Sequence, residues 1–208
     1  MKLFYSPGAS SLPAHIALQE SGLAFEAETV DLGAKKTASG ADFFAINAKG
    51  YVPALVLDDG QVLTEGVAIL QYVADRAPAA GLAPAAGTPA HYRLLEWLNY
   101  LATEVHKSYS PLFNPKASDD WKNFARAALD RRLAFVATHL DSSPYLLGDQ
   151  YSVADAYLFT ILGWSKWVKV DLSRWPVFEA YSARIAARPA VASTLAAEKA
   201  AREKAAKA

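Results

Sequence analysis

Two adjacent serines, Ser10 and Ser11, stand at the point where a short strand passes into a helix. The preceding residues alternate like a β-strand, Pro-Gly is a typical turn pair, and a helical pattern begins directly after the serines. A helix N-terminus presents free backbone N–H groups and the positive end of the helix dipole. Residues 6–11, called the tip below, therefore predict a binding site for an anion, including a thiolate. Because the chain contains no cysteine, that thiolate has to belong to a ligand.

Three hydroxyl groups near the tip are candidates to donate a hydrogen bond to such a thiolate: those of Ser10, Ser11 and Tyr5. Lowering the pKa of a thiol from about 8.5 by about two units requires about 2.7 kcal/mol. A helix N-terminus contributes about 0.3–2 kcal/mol, and a hydrogen bond to the anion contributes about 1.5–3 kcal/mol. One donor is therefore sufficient. The residues leave open which of the three it is, and whether Ser10 only caps the helix.

The elements that must position the tip alternate between strand and helix over residues 1–77. The predicted strands are residues 2–6, 25–32, 54–57 and 61–64, and the predicted helices are residues 12–22 and 65–76. An Asp-Gly pair between the last two strands is typical of a hairpin turn. The order β-α-β, an irregular link and then β-β-α predicts a small α+β sandwich.

Residues 78–88 are rich in proline and glycine, which predicts a linker. Residues 89–208 show helical periodicity and predict an all-helical domain. Within that domain, Ser152 and Asp155 have the spacing of a capping box at the start of a helix.

The stretch AAEKAAREKAAKA pairs Glu198 with Arg202 and Glu203 with Lys207 at i,i+4 spacing. This pattern predicts a solvated helix rather than a docking element.

The composition excludes several classes of function. The 208 residues carry 21 basic and 21 acidic side chains, a balance that argues against a nucleic-acid or membrane-surface partner. No apolar run reaches the roughly 18–20 residues of a membrane span, and the pattern of a secretory signal is missing. Without cysteine there is no disulfide, no thiolate metal site and no protein-borne nucleophilic thiol. We expect a cytoplasmic globular protein without a metal.

Five stretches, in this order and covering essentially the whole chain, resemble the glutathione transferases and in particular their bacterial beta class: MKLFYSPGASSL, GYVPAL, LTEGVAILQY, EWLNYLATEVHKSYSPLF and YLLGDQYSVADAYLF. The resemblance implies a thioredoxin-like, glutathione-binding domain over residues 1–77. It implies a helical-bundle domain over residues 89–208 that forms the electrophile side of the cleft. It also implies glutathione as co-substrate, small hydrophobic electrophiles as acceptors, and a homodimer.

The resemblance assigns two contacts with glutathione to loops of the first domain. Lys35 matches the position that reaches the glycyl carboxylate, with the neighbouring Lys36 as an alternative. Val52 precedes Pro53, and the proline at this position is cis in the superfamily. The resemblance implies that the N–H and C=O of Val52 pair with the cysteinyl part of glutathione.

A third contact is implied at the start of the next helix, where Thr64 is a candidate N-cap. The backbone N–H groups of Glu65 and Gly66 would bind the γ-glutamyl carboxylate, and the Glu65 side chain would pair with the ammonium group. Because the family often has a serine where this chain has Gly66, that contact uses only backbone here.

The resemblance places further site residues in the helical domain. Asn99, Thr103 and Glu104 would approach glutathione along the cleft, and His106 would tune the thiol. The implied pocket for the electrophile is lined by Tyr109, Leu112, Phe113 and Trp164.

The chain departs from the beta class at Ser10, where the class typically has a cysteine that can form a mixed disulfide with glutathione. Serine excludes that redox chemistry but can still donate a hydrogen bond to a thiolate. The leading hypothesis is therefore a glutathione S-transferase that adds the glutathione thiolate to hydrophobic electrophiles. The alternative is a non-catalytic glutathione-binding or ligand-carrying protein. A serine hydrolase built on Ser10 and His106 lacks support, because GASSL has no second glycine of a G-x-S-x-G elbow.

Overall fold

The computed structural model describes residues 1–206 and divides them into two compact units. The first unit consists of Met1–Ala83 together with the described residues from Ala186 onward, and the second is Pro84–Ile185. The predicted fold class, an α+β thioredoxin-like domain followed by an all-helical one, is confirmed. The linker over residues 78–88 stays a prediction. The last helix, which we had assigned to the helical domain, groups with the first unit.

The strands of the first unit are β1 (Lys2–Tyr5), β2 (Glu26–Asp31), β3 (Lys36–Thr37), β4 (Ala54–Val56) and β5 (Val62–Thr64). They form a sheet in the order β3-β2-β1-β4-β5. Strands β1 and β2 are parallel, as expected for strands joined by a crossover helix, and the other pairs are antiparallel. The four predicted strands are confirmed. The sequence pattern missed β3, which is only two residues long.

The helices are α1 (Leu12–Ser21), α2 (Phe43–Ile46), α3 (Gly66–Arg76), α4 (Pro89–Tyr100), α5 (Lys107–Phe113), α6 (Asp119–Leu140), α7 (Val153–Val168), α8 (Val177–Ala186) and α9 (Pro189–Ala205). A π-helical segment, Leu101–His106, joins α4 to α5. A short 3₁₀ turn, Pro78–Ala80, lies in the predicted linker.

A cluster of buried residues in the first unit anchors the backbone beside the tip. It consists of Phe4, Val30, Phe43, Val52 and Ala54. Phe4 comes from β1 and Phe43 from α2, and their rings lie 6.0 Å apart. Because Val52 belongs to this cluster, the peptide that leads into Pro53 is held by core packing rather than by a surface loop.

The second unit is organised around a buried carboxylate at the start of α7. The capping box predicted for Ser152 and Asp155 is confirmed. Asp155 is completely buried and accepts hydrogen bonds from the backbone N–H of Leu146 at 2.9 Å, from Ser152 N–H at 2.8 Å and from the Tyr181 hydroxyl at 3.0 Å. One side chain thus connects α7, α8 and the preceding loop.

The prediction that the stretch after residue 195 is only a solvated helix was wrong. Glu198 is 3% exposed and contacts the first unit's own residues His15 and Gly8. Glu203 pairs with Lys199 at 3.9 Å. Its predicted partner, Lys207, lies outside the described residues. The i,i+4 charge pattern could not reveal the burial of Glu198. Such spacing shows which side chains are neighbours on a helix, but it does not show which face of the helix is buried.

We expect Asp155→Ala to lower the free energy of unfolding by about 3 kcal/mol, because it leaves buried N–H groups without an acceptor. Urea unfolding followed by circular dichroism measures this change. Asp149→Ala is the matched control, since Asp149 is exposed in the same loop region and its replacement should change stability by less than about 0.5 kcal/mol. Equal effects of the two substitutions would contradict the prediction.

Candidate functional site

The tip is a tight turn closed from inside by Ser11. The backbone N–H of Ala9 donates to the carbonyl oxygen of Ser6 at 3.0 Å, and Gly8 has a φ of 76°. Proline followed by glycine at positive φ is the signature of a type II turn. Ser11 is fully buried, and its hydroxyl accepts from Ser6 N–H at 3.1 Å and donates to Ser6 O at 3.2 Å. Both its donor and its acceptor are therefore used by the turn.

Ser10 lies where the tip meets two other pieces of backbone. Its hydroxyl donates to the carbonyl oxygen of Val52 at 2.8 Å. The Val52-Pro53 bond is cis, as the resemblance implied. A Cβ atom added to Gly66 would lie 3.9 Å from Ser10 O and 4.0 Å from Pro53 Cγ. The tip, the cis peptide and the start of α3 therefore lie so close together that one methyl group on Gly66 would touch the other two.

Tyr5 lies beneath the tip in the interior. Its side chain is 6% exposed, and its ring contacts that of His15 with centroids 4.9 Å apart. Burial, assisted by the negative charge of Glu198, raises the pKa of the Tyr5 phenol. Among the three candidate donors, Ser10 is therefore the one whose hydroxyl is only partly buried and lies beside the cis peptide.

The start of α3 places a carboxylate beside this point. Glu65 rather than Thr64 is the N-cap residue of α3, and no side-chain hydrogen bond caps the helix. Its φ of 70° is uncommon for a residue other than glycine and marks a strained backbone. The Lys49 ammonium lies 2.6 Å from Glu65 Oε1 and 3.0 Å from Thr64 Oγ1. The Lys49 ammonium therefore pairs with the carboxylate that the sequence analysis assigns to the ammonium group of glutathione.

The two candidate lysines differ in how they are held. The Lys35 ammonium donates to Gly50 O at 2.9 Å and lies 5.9 Å and 5.7 Å from the ring centroids of Phe44 and Tyr51. Lys36 is an exposed residue of β3. Lys35 is thus a partly buried cation held close to the loop that precedes Val52, whereas Lys36 has no such placement.

In the second unit, His106 is the last residue of the π-helical segment. Its Nδ1 lies 2.7 Å from the Tyr157 hydroxyl, and its ring packs edge-on against Trp164 at 4.7 Å between centroids. Burial, with the nearby charge of Lys107, lowers the pKa of His106 to about 4. The imidazole is therefore neutral near pH 7. Because π-helical turns are often found at functional sites, the segment is consistent with a functional role for His106.

The other polar candidates, on α4 and the π-helical segment, already form hydrogen bonds with neighbouring helical residues or with α6. Asn99 donates to Leu95 O at 2.8 Å, and Thr103 donates to Asn99 O at 2.9 Å; both side chains are exposed. Arg132 of α6 donates from Nε to Glu104 at 2.8 Å. Glu104 is thus engaged in an ion pair that any ligand would have to share.

The four candidate pocket residues differ sharply in exposure. Trp164 is 5% exposed and is surrounded by the rings of His106, Tyr109 and Phe113. Phe113 is 46% exposed and Leu112 is half-buried. Tyr109, in contrast to our expectation, is completely buried, and its hydroxyl lies 2.6 Å from Ser165 Oγ. Burial raises the pKa of Tyr109 to about 12, so it is a neutral core residue.

The residues that contact candidate site groups and that the sequence analysis missed include Lys49, Tyr157 and Glu198. Lys49 stands in the same irregular link as Lys35, so its charge was the only available signal. Tyr157 and Glu198 lie 51 and 190 residues from their partners His106 and Gly8, and no local pattern connects such positions.

Two further expectations from the sequence concern metal binding and membrane spans. Among residues 1–206, no group of three or more His, Asp or Glu side chains is arranged to bind a metal ion. No helix within that range is long and apolar enough to span a membrane.

Comparisons with known proteins agree with this arrangement. The N-terminal domain model of glutathione S-transferases matches residues 9–76, and the C-terminal domain model matches residues 100–189. The chain is 47% identical to the glutathione S-transferase GstA of Escherichia coli O157:H7 over 95% of this chain and 98% of that protein.

Two solved structures are similarly close. A sphingomonad glutathione S-transferase complexed with glutathione superposes with a TM-score of 0.93 at 49% identity, covering 96% of this chain and 99% of the other. A beta-class glutathione S-transferase of Sphingomonas chungbukensis gives 0.92 at 48% identity, covering 95% and 98%. Since the domain models match both units and these relatives match nearly the whole length, the chain belongs to the glutathione S-transferase family of enzymes.

Proposed function

We propose that this protein binds glutathione at the tip, stabilises its thiolate and transfers the sulfur to small hydrophobic electrophiles. The observation that carries the proposal is the Ser10 hydroxyl, which lies 2.8 Å from Val52 O where the tip, the cis peptide and the start of α3 meet. The proposal includes the beta-class properties implied by the resemblance: a cytoplasmic homodimer that acts in detoxification.

Glutathione would lie along three backbone segments of the first unit. Lys35 would take the glycyl carboxylate, and the N–H and C=O of Val52 would pair with the cysteinyl residue. The carbonyl oxygen of Val52 has two lone pairs, so it can accept from the ligand while it also accepts from Ser10. The N–H groups of Glu65 and Gly66 would bind the γ-glutamyl carboxylate at the start of α3.

Stabilisation of the thiolate requires the Ser10 proton to change partner. A hydroxyl has one proton, and Ser10 gives it to Val52 O in the absence of ligand. Releasing that bond costs about 0.5–1.5 kcal/mol, whereas a bond to an anion contributes about 1.5–3 kcal/mol. The difference of about 0–2.5 kcal/mol has a midpoint of about 1.2 kcal/mol, which favours the thiolate by about one pKa unit. The remaining stabilisation would come from the N-terminus of α1.

The helical unit would supply a neutral hydrogen-bonding group and an apolar surface. Tyr157 engages Nδ1 of His106, so Nε2 is the nitrogen left for a ligand. The electrophile would contact Leu112, Phe113 and the edge of Trp164. Tyr109 would support this surface from below, because its own side chain is completely buried. Asn99, Thr103 and Glu104 would bind glutathione through groups that now bond within the unit.

One observation favours the alternative of a glutathione-binding protein without turnover. The Ser10 proton is already engaged by Val52 O, so the hydroxyl could remain a structural group after glutathione binds. Turnover of a chloronitrobenzene acceptor separates the two hypotheses. Tight glutathione binding with no rate above background would contradict the transferase proposal and leave the binding protein.

We expect Ser10→Ala to raise the pKa of the bound glutathione thiol by about one unit, because it removes the donor to the thiolate. The thiolate fraction and kcat should then fall about threefold at pH 7, and about tenfold well below the pKa of the bound thiol. Ultraviolet absorbance of the thiolate during a pH titration of the complex measures the shift. An unchanged titration would contradict the role given to Ser10.

Ser10→Cys tests whether the ligand sulfur reaches this position. With oxidised glutathione, the introduced thiolate would attack one disulfide sulfur and release the other glutathione as a thiolate, leaving a mixed disulfide visible as a mass gain. Ser39→Cys, at an exposed serine away from the tip, is the matched control. We expect reaction at position 10 to be at least about tenfold faster, since a helix N-terminus lowers the pKa of a thiol. Equal rates would contradict the proposed placement of the sulfur.

We expect Lys49→Gln to tighten glutathione binding about two- to fivefold, because it removes the protein cation that competes for the Glu65 carboxylate. Titration calorimetry measures the change. Lys36→Gln, at an exposed lysine of the same segment, should bind glutathione like the parent.

A glutathione analogue without its α-amino group gives the sharpest form of this comparison. The analogue lacks the ammonium that competes with Lys49, so its affinity should not improve in Lys49→Gln. Weaker binding of both ligands would show instead that Lys49 holds the γ-glutamyl carboxylate.

We expect the ring of His106 to titrate near pH 4 in the folded protein, since burial disfavours its charged form. In the unfolded chain the same ring binds a proton near 6.5. The unfolded state therefore binds more protons between these values, and stability should fall as the pH drops from 6.5 to 4. His106→Gln should reduce that loss in urea unfolding. A ring resonance with a midpoint near 6.5 by NMR would refute this expectation.

A further inference from the structure

Helix α9 holds both ends of one peptide group in the tip. The backbone N–H of Gly8 donates to Glu198 Oε2 at 2.6 Å. The carbonyl oxygen of Pro7 accepts from the Arg202 guanidinium at 3.0 Å. These two atoms belong to the same peptide unit, and their partners lie one turn apart on α9. The Pro7-Gly8 peptide is thus oriented from outside by a carboxylate at its N–H and a guanidinium group at its C=O.

The direction of this peptide decides the type of turn. Type I and type II turns differ by a reversal of the central peptide, and the type II form places the third residue at positive φ. Gly8, with its φ of 76°, permits that form. In the reversed form the carbonyl oxygen would face the Glu198 carboxylate and the N–H would face Arg202. The charges on α9 therefore favour the observed turn and oppose the other.

The carboxylate of Glu198 is built into the interior. It is 3% exposed, and its second oxygen lies 2.9 Å from Nδ1 of His15, which is 5% exposed. His15 in turn packs between the rings of Tyr5 and Phe25, at 4.9 Å and 5.8 Å between centroids. A carboxylate is buried at such a point only when donors satisfy it, and here the donors come from the tip and from α1.

The held peptide lies two residues before Ser10. Its two hydrogen bonds to α9 anchor the turn from outside, and Ser11 closes the same turn from inside through Ser6. In this arrangement the Ser10 hydroxyl reaches Val52 O. Loss of the two anchoring hydrogen bonds would free the turn to shift, and with it that hydroxyl and the N–H groups behind it.

We propose that Glu198 and Arg202 are positioning residues for the transferase reaction: α9 fixes the Pro7-Gly8 peptide and thereby the place of the Ser10 hydroxyl. This inference rests on the proposed function. It makes α9 part of the apparatus that stabilises the thiolate, although neither residue need touch glutathione.

The test compares the bound thiol in Glu198→Ala, Glu198→Gln and Arg202→Gln with the parent. Release of the turn should raise the pKa of the bound glutathione thiol by about one unit in Glu198→Ala, and kcat at pH 7 should fall about threefold with little change in KM. Glutamine can accept from Gly8 N–H and donate to a neutral His15, so Glu198→Gln should restore the parent value. Arg202 is exposed, so Arg202→Gln should remain folded and raise the thiol pKa by a smaller amount in the same direction.

Glu20→Ala is the matched control for the docking of α9. It removes the ion pair of Glu20 with Arg188, at 2.6 Å and 2.9 Å, which joins the same two helices away from the tip. Thermal unfolding should report a loss of stability in Glu20→Ala, while its bound thiol titrates as in the parent.

Three results would overturn the inference. The first is a thiol pKa in Glu198→Ala and Arg202→Gln equal to that of the parent. The second is an equal shift in Glu20→Ala, which would make α9 a stabilising element only. The third is a lowered thiol pKa in both Glu198→Ala and Glu198→Gln, which would mean that Glu198 acts by its charge. If the parent itself fails to bind glutathione, the proposed function fails first.

Discussion

The hydrogen bond from Ser10 to Val52 O joins the two stretches of backbone on which the proposed site depends. The tip on one side is held by Ser11 from within and by α9 from outside. The cis peptide on the other side is held by the buried Val52 side chain. Under the proposed function, the bound thiolate would accept the hydrogen bond that Ser10 now donates to Val52 O, so the free protein already holds the donor close to its place of use.

Local patterns were sufficient to predict the elements that carry this junction. Alternation predicted β1, an Asp-Gly turn pair predicted the hairpin of β4 and β5, and a turn pair followed by serines predicted the start of α1. The capping box at Ser152 was equally local. The two-residue β3 and the π-helical segment were not predicted, since the first forms only by pairing with β2 and the second inserts a residue into an otherwise regular helix.

Side-chain roles were harder to predict than elements, because they depend on packing between distant parts of the chain. Tyr109 and Phe113 lie one turn apart on α5, yet one is completely buried and the other is 46% exposed. Their order in the sequence does not say which one faces α7. Similarly, the Glu65 carboxylate was expected to pair with a ligand, whereas in the structure it forms an ion pair with Lys49. A motif identifies the groups of a site, but it does not identify their partners in the free protein.

The contact between α9 and the tip has a consequence for the synthesis of the protein. Gly8 and Glu198 are separated by 190 residues, so the turn before Ser10 cannot be held by its partners until the chain as far as α9 has been translated. A ribosome-bound fragment could form the sheet and the helical unit with this turn still free to adopt the other type. Competence to activate a thiol would then be acquired late, at a moment set by chain elongation rather than by folding of the first unit.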